Sequence, residues 1–144
     1  MSLKRIIAWI LVGSLLLAIM PAMGLAQPRE NTPVRVLLRR LNIADRLDVR
    51  MDGTYSVGNP GEASMIFTPG SEVAVTLNNG QLYVYYQGLS WNAGSSLCFT
   101  RYQRSDGQEN GLRLQTGEHL YEGDLYLSAK DTSIQAVLHI ALED

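Results

Sequence analysis

HLYEGDLYLSAKDTSIQAVLHIALED, residues 119–144, is the stretch that decides the fold class. From Leu120 to Leu127 apolar and aromatic side chains mostly alternate with polar ones, the period of a strand with one wet face. Ala129 to Ser133 is polar and suits a tight turn. Ile134 to Ile140 then runs back as a second strand, so the whole reads as an antiparallel hairpin. Leu142-Glu143-Asp144 follows, and a strand leading into those residues looks like the entrance to a further element.

Working upstream, the same grammar recurs. Leu112 and Leu114 flank Arg113, and Ser105 to Gly111 before them is a polar excursion. Leu97 to Thr100 reads as a short strand, and Gly88 to Ser96 as a loop around Trp91. Leu82 to Tyr86 is apolar or aromatic on both faces, which places it near the middle of a sheet or under a covering layer. Asn78 to Gln81 is a hairpin turn, entered from a strand in which Val73, Val75 and Leu77 share one face. Met65 to Phe67 is a short apolar strand stopped by Pro69-Gly70, and Gly58 to Glu62 is dense in turn formers. Leu47, Val49 and Met51 alternate with Asp48, Arg50 and Asp52, and Asp52-Gly53 reads as a tight hairpin returning through Tyr55 to Val57. Val34 to Leu38 opens the domain as a short buried strand. Arg39-Arg40 behind it is a solvated strand end, or a contact for an anionic polymer. About ten short strands, with turn chemistry roughly every 8–12 residues and no amphipathic helix, predict an all-β antiparallel sandwich or barrel-like domain.

The first residues are of another kind. Lys4 and Arg5 precede an apolar run from Ile6 to Met20, and Gly24 and Ala26 supply small residues for cleavage, as in a secretory signal peptide. An uncleaved signal anchor is the alternative, although the run is short of the roughly 20 residues a spanning helix needs. Residues 1–26 are therefore read as a signal peptide or signal anchor helix, 27–33 as a linker and 34–144 as the β-domain. Either way the domain is expected outside the cytoplasmic membrane, touching it only through an uncleaved leader. Without the leader, 10 basic residues face 14 acidic ones. That mild acidity argues against a nucleic-acid partner, which calls for a basic face. Cys98 is the single cysteine, so no internal disulfide forms, and it is expected as a small buried hydrophobe.

Catalysis finds little support. Glycoside hydrolysis normally needs two carboxylates held across the sugar. Glu118, Glu122, Asp124, Glu143 and Asp144 are the dense ones. Glu122 and Asp124 are expected on one strand face, where carboxylates are ordinarily solvated. No Gly-x-Ser-x-Gly elbow accompanies His119 or His139, and His139 is expected as a satisfied or solvent-facing residue. With two histidines and one cysteine no zinc set forms, and no cofactor or metal is expected. Aromatic residues are the better candidates. Tyr83, Tyr85, Tyr86, Trp91 and Tyr102 lie close together in sequence, and such rings suit the C–H faces of sugars as well as they suit core and edge packing. Trp91, placed in a loop, and Tyr85 are the expected glycan-binding residues; catalytic and metal-binding residues are expected to be none.

Tyr121-Glu122-Gly123-Asp124-Leu125, the apolar strand after it and Leu142-Glu143-Asp144 together resemble the SpoIID/LytB family, the stage II sporulation protein D and amidase-enhancer proteins of bacterial cell-wall remodelling. Val34 to Leu38 and Leu47 to Val57 resemble that family's opening strand and second hairpin. The resemblance covers most of residues 33–144, but only the family's N-terminal part. It implies a protein that remodels peptidoglycan during sporulation, by lytic transglycosylation or by stimulating wall amidases. The family's catalytic glutamate lies beyond a Leu-Glu-Asp-Tyr-Leu segment, and no residue here matches it. This chain is therefore expected to be the non-catalytic N-terminal portion, truncated before the catalytic half. Its expected partners are peptidoglycan glycan strands and other cell-wall hydrolases. The alternative is a stand-alone secreted β-domain that binds a glycan or a protein.

Overall fold

Residues 33–59, 61–103 and 107–141 are described by a computed structural model, and in them the alternating stretches become eleven strands in two antiparallel sheets. The strands are β1 (Val34–Leu37), β2 (Arg46–Met51), β3 (Tyr55–Val57), β4 (Met65–Phe67), β5 (Ser71–Asn78) and β6 (Gln81–Tyr86). They continue as β7 (Leu89–Gly94), β8 (Ser96–Arg101), β9 (Leu112–Leu114), β10 (Asp124–Lys130) and β11 (Ser133–Ile140). One sheet has the order β1-β11-β10-β8-β3-β4, the other β7-β6-β5-β2-β9. The leader, most of the linker, and Leu142-Glu143-Asp144 lie outside the described residues.

Alternation explains why these strands form a sandwich. Leu47, Val49, Val75, Leu82 and Val84 of the five-stranded sheet point the same way as one another, and so do Phe99, Leu125, Leu127, Ile134 and Ala136 of the six-stranded sheet. All ten are buried in one cluster between the sheets. That shared core makes the arrangement a two-sheet sandwich, with no closed barrel.

The hairpin that decides the fold class forms as expected. β10 and β11 pair with Leu125 opposite Leu138 and Leu127 opposite Ala136. The Asn78–Gln81 turn forms too: Asn79 and Gly80 both take positive φ, 50° and 73°, as a turn matched to the strands' twist requires. Gly123 has a local reason to be glycine. Its φ is 150°, and an added Cβ would stand 2.3 Å from the His139 carbonyl oxygen. The buried Tyr55 hydroxyl donates to the Gly123 carbonyl at 3.0 Å, tying the start of β10 to β3.

Three expectations are corrected. β1 is not buried: all four of its residues are exposed, because it is an edge strand paired on one side only, with β11. That pairing covers β11, so Ile134–Ile140 is an interior strand. Asp52-Gly53 closes no hairpin. β2 pairs with β5 and β9 while β3 pairs with β4 and β8, so these residues carry the chain from one sheet to the other. The Gly88–Ser96 stretch is not a loop but contains β7, hydrogen-bonded to β6. Gln87 and Gly88 make a second positive-φ turn before it, and Gly94 (φ 77°) lets the chain swing into β8 of the facing sheet.

Candidate functional site

The outer face of the five-stranded sheet gathers polar and aromatic side chains that the sequence scatters. Where Leu47, Val49 and Met51 of β2 enter the core, Arg46, Asp48 and Arg50 must point out. β5 adds Glu72, Ala74 and Thr76, β6 adds Tyr83 and Tyr85, and β9 adds Arg113. Strand register then sets the rows. Asp48, Ala74, Tyr85 and Ser90 lie side by side across four strands, next to a row of Arg46, Thr76, Tyr83 and Asn92. On the other flank, Arg113 and Glu72 sit on either side of Arg50.

Ala74 is the short side chain at the middle of this surface. The space above it forms a hollow of about 490 Å³, lined by Tyr85, Asp48, Arg50, Glu72, Arg113 and Gln115 among others. A second hollow of about 920 Å³ continues from it and shares Arg50, Arg113, Thr116 and Gly117. Tyr85 is 47% exposed at the margin, so its ring is open to solvent.

The charged groups hold one another in place. Arg46 pairs with Asp48 at 3.0 Å and Arg50 with Asp52 at 3.0 Å. Arg113 binds the other oxygen of Asp52, pairs with Glu109 at 3.0 Å and donates to the Glu118 carbonyl. Asp52 thus bridges two guanidinium groups. Gln115 (φ 57°) extends the sheet beyond β9: its backbone N–H donates to the Asp48 carbonyl at 2.7 Å, and its side-chain amide donates to the Arg46 carbonyl at 3.2 Å. The wall of the hollow is therefore anchored to β2.

Of the two expected glycan-binding residues, the structure places one on this face. Tyr85 lines the hollow. Trp91 stands on β7 opposite Val84, on the inner side of the sheet, and packs half-buried against the core. This corrects the loop placement and removes the exposure on which its expectation rested. Tyr83 shares the outer face with Tyr85, whereas Tyr86 turns inward to meet Phe67 edge-on, with ring centroids 4.8 Å apart. Arg46, Arg50, Arg113 and Gln115 were not expected at a site. The wet face of β2 was visible in the alternation, but nothing local joins it to Arg113.

The remaining polar candidates stand apart. Glu122 is exposed ahead of β10, while Asp124 heads that strand and accepts from the Arg101 backbone N–H at 2.8 Å. The two were expected on one strand, but only Asp124 belongs to it. Glu143 and Asp144 lie outside the described residues. On the outer face of the six-stranded sheet, His139 stacks on Tyr126 with centroids 4.0 Å apart. Partial burial, and then the Arg35 guanidinium, lowers its pKa. Cys98 is buried opposite Tyr126, its Sγ 3.4 Å from the Thr100 hydroxyl. Burial pushes that thiol up, which disfavours a reactive thiolate. His119 meets Tyr121 edge-on.

Among the described residues, no three His, Cys, Asp or Glu side chains are grouped to hold a metal ion, and no helix is long and apolar enough to cross a membrane. No family model, no curated protein and no solved structure matches the chain.

Proposed function

We propose that this domain binds peptidoglycan glycan strands through the outer face of its five-stranded sheet, as the non-catalytic N-terminal portion of a SpoIID/LytB-like cell-wall protein. The observation that carries the reading is the exposed Tyr85 ring beside the Ala74 hollow. A sugar needs an apolar plane for its C–H face and polar groups for its hydroxyls, and the two stand together here. Asp48, Glu72 and Gln115 offer oxygen acceptors, and Arg50 and Arg113 offer N–H donors. Asp48 is paired with Arg46, Arg50 and Arg113 share Asp52, and Gln115 is hydrogen-bonded to β2, so these groups lose little order on binding. The wall context comes from the residue resemblance, and the location outside the cytoplasmic membrane from the apolar leader behind Lys4 and Arg5. Cleavage falls to other residues or to partner hydrolases, and this domain positions the strand.

A second reading is a stand-alone secreted domain that binds a glycan or a protein. It is favoured by one observation: the two sheets enclose their core between themselves. Both readings use the same face.

The test is retention on purified peptidoglycan. Tyr85→Ala removes the plane, and Ala74→Arg fills the hollow from the solvent side without touching the core. Both variants are expected to keep the wild-type near-ultraviolet circular dichroism and to lose about 90% or more of the retention, the effect of removing a central contact. Wild-type retention by both folded variants would remove the site.

A further inference from the structure

We infer that the groove takes an internal, extended run of uncharged sugar residues, in preference to a chain end or an anionic group. The inference rests on the glycan-binding reading and adds the ligand's length, direction and charge.

Direction and length follow from the way the hollows join. Tyr85 lies on β6 and Ala74 on β5; the shared residues Arg50 and Arg113 lie on β2 and β9, and Thr116 and Gly117 follow β9. The groove therefore runs across the strands. Three steps between neighbouring strands span about 14 Å, which is several linked pyranose rings. At the Tyr85 end the row continues only to Ser90, a short exposed side chain on the edge strand, so no bulky group stops a chain there. A ligand can enter and leave the groove, as an internal segment must.

Charge follows from the pairing. Arg46, Arg50 and Arg113 each engage a carboxylate on this face. Asp48, Asp52, Glu72, Glu109 and Glu118 outnumber them along the two hollows. An anionic ligand would have to break an existing pair and then sit among the surplus carboxylates. Hydroxyl and acetamido groups meet no such penalty, since they can accept from and donate to the paired groups as these stand.

The experiment is calorimetric titration of the full chain with β-1,4-linked N-acetylglucosamine oligomers of one to six units, at about 0.05 M and about 0.5 M salt. Affinity is expected to rise by about tenfold or more from dimer to tetramer and then to level off, with less than about a twofold change between the salt conditions. Thr116→Trp, which blocks the junction of the two hollows on an exposed residue, should abolish the gain from longer oligomers. A monomer that binds as tightly as the tetramer, or binding that collapses in salt, would overturn the inference and leave glycan binding standing. Absence of binding to every oligomer and to whole peptidoglycan would overturn both.

Discussion

Gly123 and Tyr55 show how single residues fix this fold. The Tyr55 hydroxyl is buried, and burial holds its pKa well above the ordinary phenol value, so it stays an O–H donor to the Gly123 carbonyl. Tyr55→Phe should cost about 1–2 kcal/mol, since it leaves a buried carbonyl without its partner. Gly123→Ala should cost more, about 3 kcal/mol, because a Cβ there meets the His139 backbone and the positive φ is strained for alanine. Urea titration with an unchanged m-value checks both; a Gly123→Ala midpoint equal to wild type would contradict the geometry. His139 supplies the pH dependence. Its folded pKa is lowered, so as pH falls through about 6.5 the unfolded chain takes up its proton first. The neutral histidine's contribution is thus present above that pH and is lost below it. The melting temperature of wild type minus that of His139→Gln should fall between about pH 7.5 and about pH 5.5. A constant difference would mean that the stacked ring does not sense its surroundings.

At the scale of elements, the strands were legible wherever alternation and turn residues agreed. β2, β5, β6 and the β10–β11 hairpin could be read directly, since Asn79-Gly80 and Asp131 sit where a positive φ is needed. Pairing was harder to read. Asp52-Gly53 has hairpin composition, yet the flanking strands part into different sheets, because strand order depends on core contacts remote in sequence. β7 was hidden because its Ser90, Asn92 and Gly94 have loop composition, and only its hydrogen bonds to β6 make it a strand. The apolar run of β1 suggested burial, but one-sided pairing leaves Val34 42% exposed. Val34→Lys should therefore change stability by no more than about 0.5 kcal/mol, whereas Leu125→Ala, fully buried, should cost about 2–5 kcal/mol. Chemical denaturation of the pair checks the contrast; equal losses would mean that β1 is covered in solution.

At the scale of the whole molecule, the candidate site is a product of the sheet order β7-β6-β5-β2-β9. Tyr85 was legible because aromatic residues concentrate near it. The hollow was not, since it depends on Ala74 being small between Asp48 and Tyr85, and on Arg113 lying beside Arg50. Trp91 was misplaced for the complementary reason: its side chain belongs to the inner face, which only the pairing with Val84 reveals. The central claim is that the outer face of the five-stranded sheet binds glycan, and the most direct test is to map the backbone amides that respond to ligand. On addition of a β-1,4-linked N-acetylglucosamine tetramer, nuclear magnetic resonance shifts should concentrate at Asp48, Arg50, Ala74, Tyr85 and Gln115, with the six-stranded sheet unmoved. Shifts centred on the six-stranded sheet, or none at saturating ligand, would contradict the account.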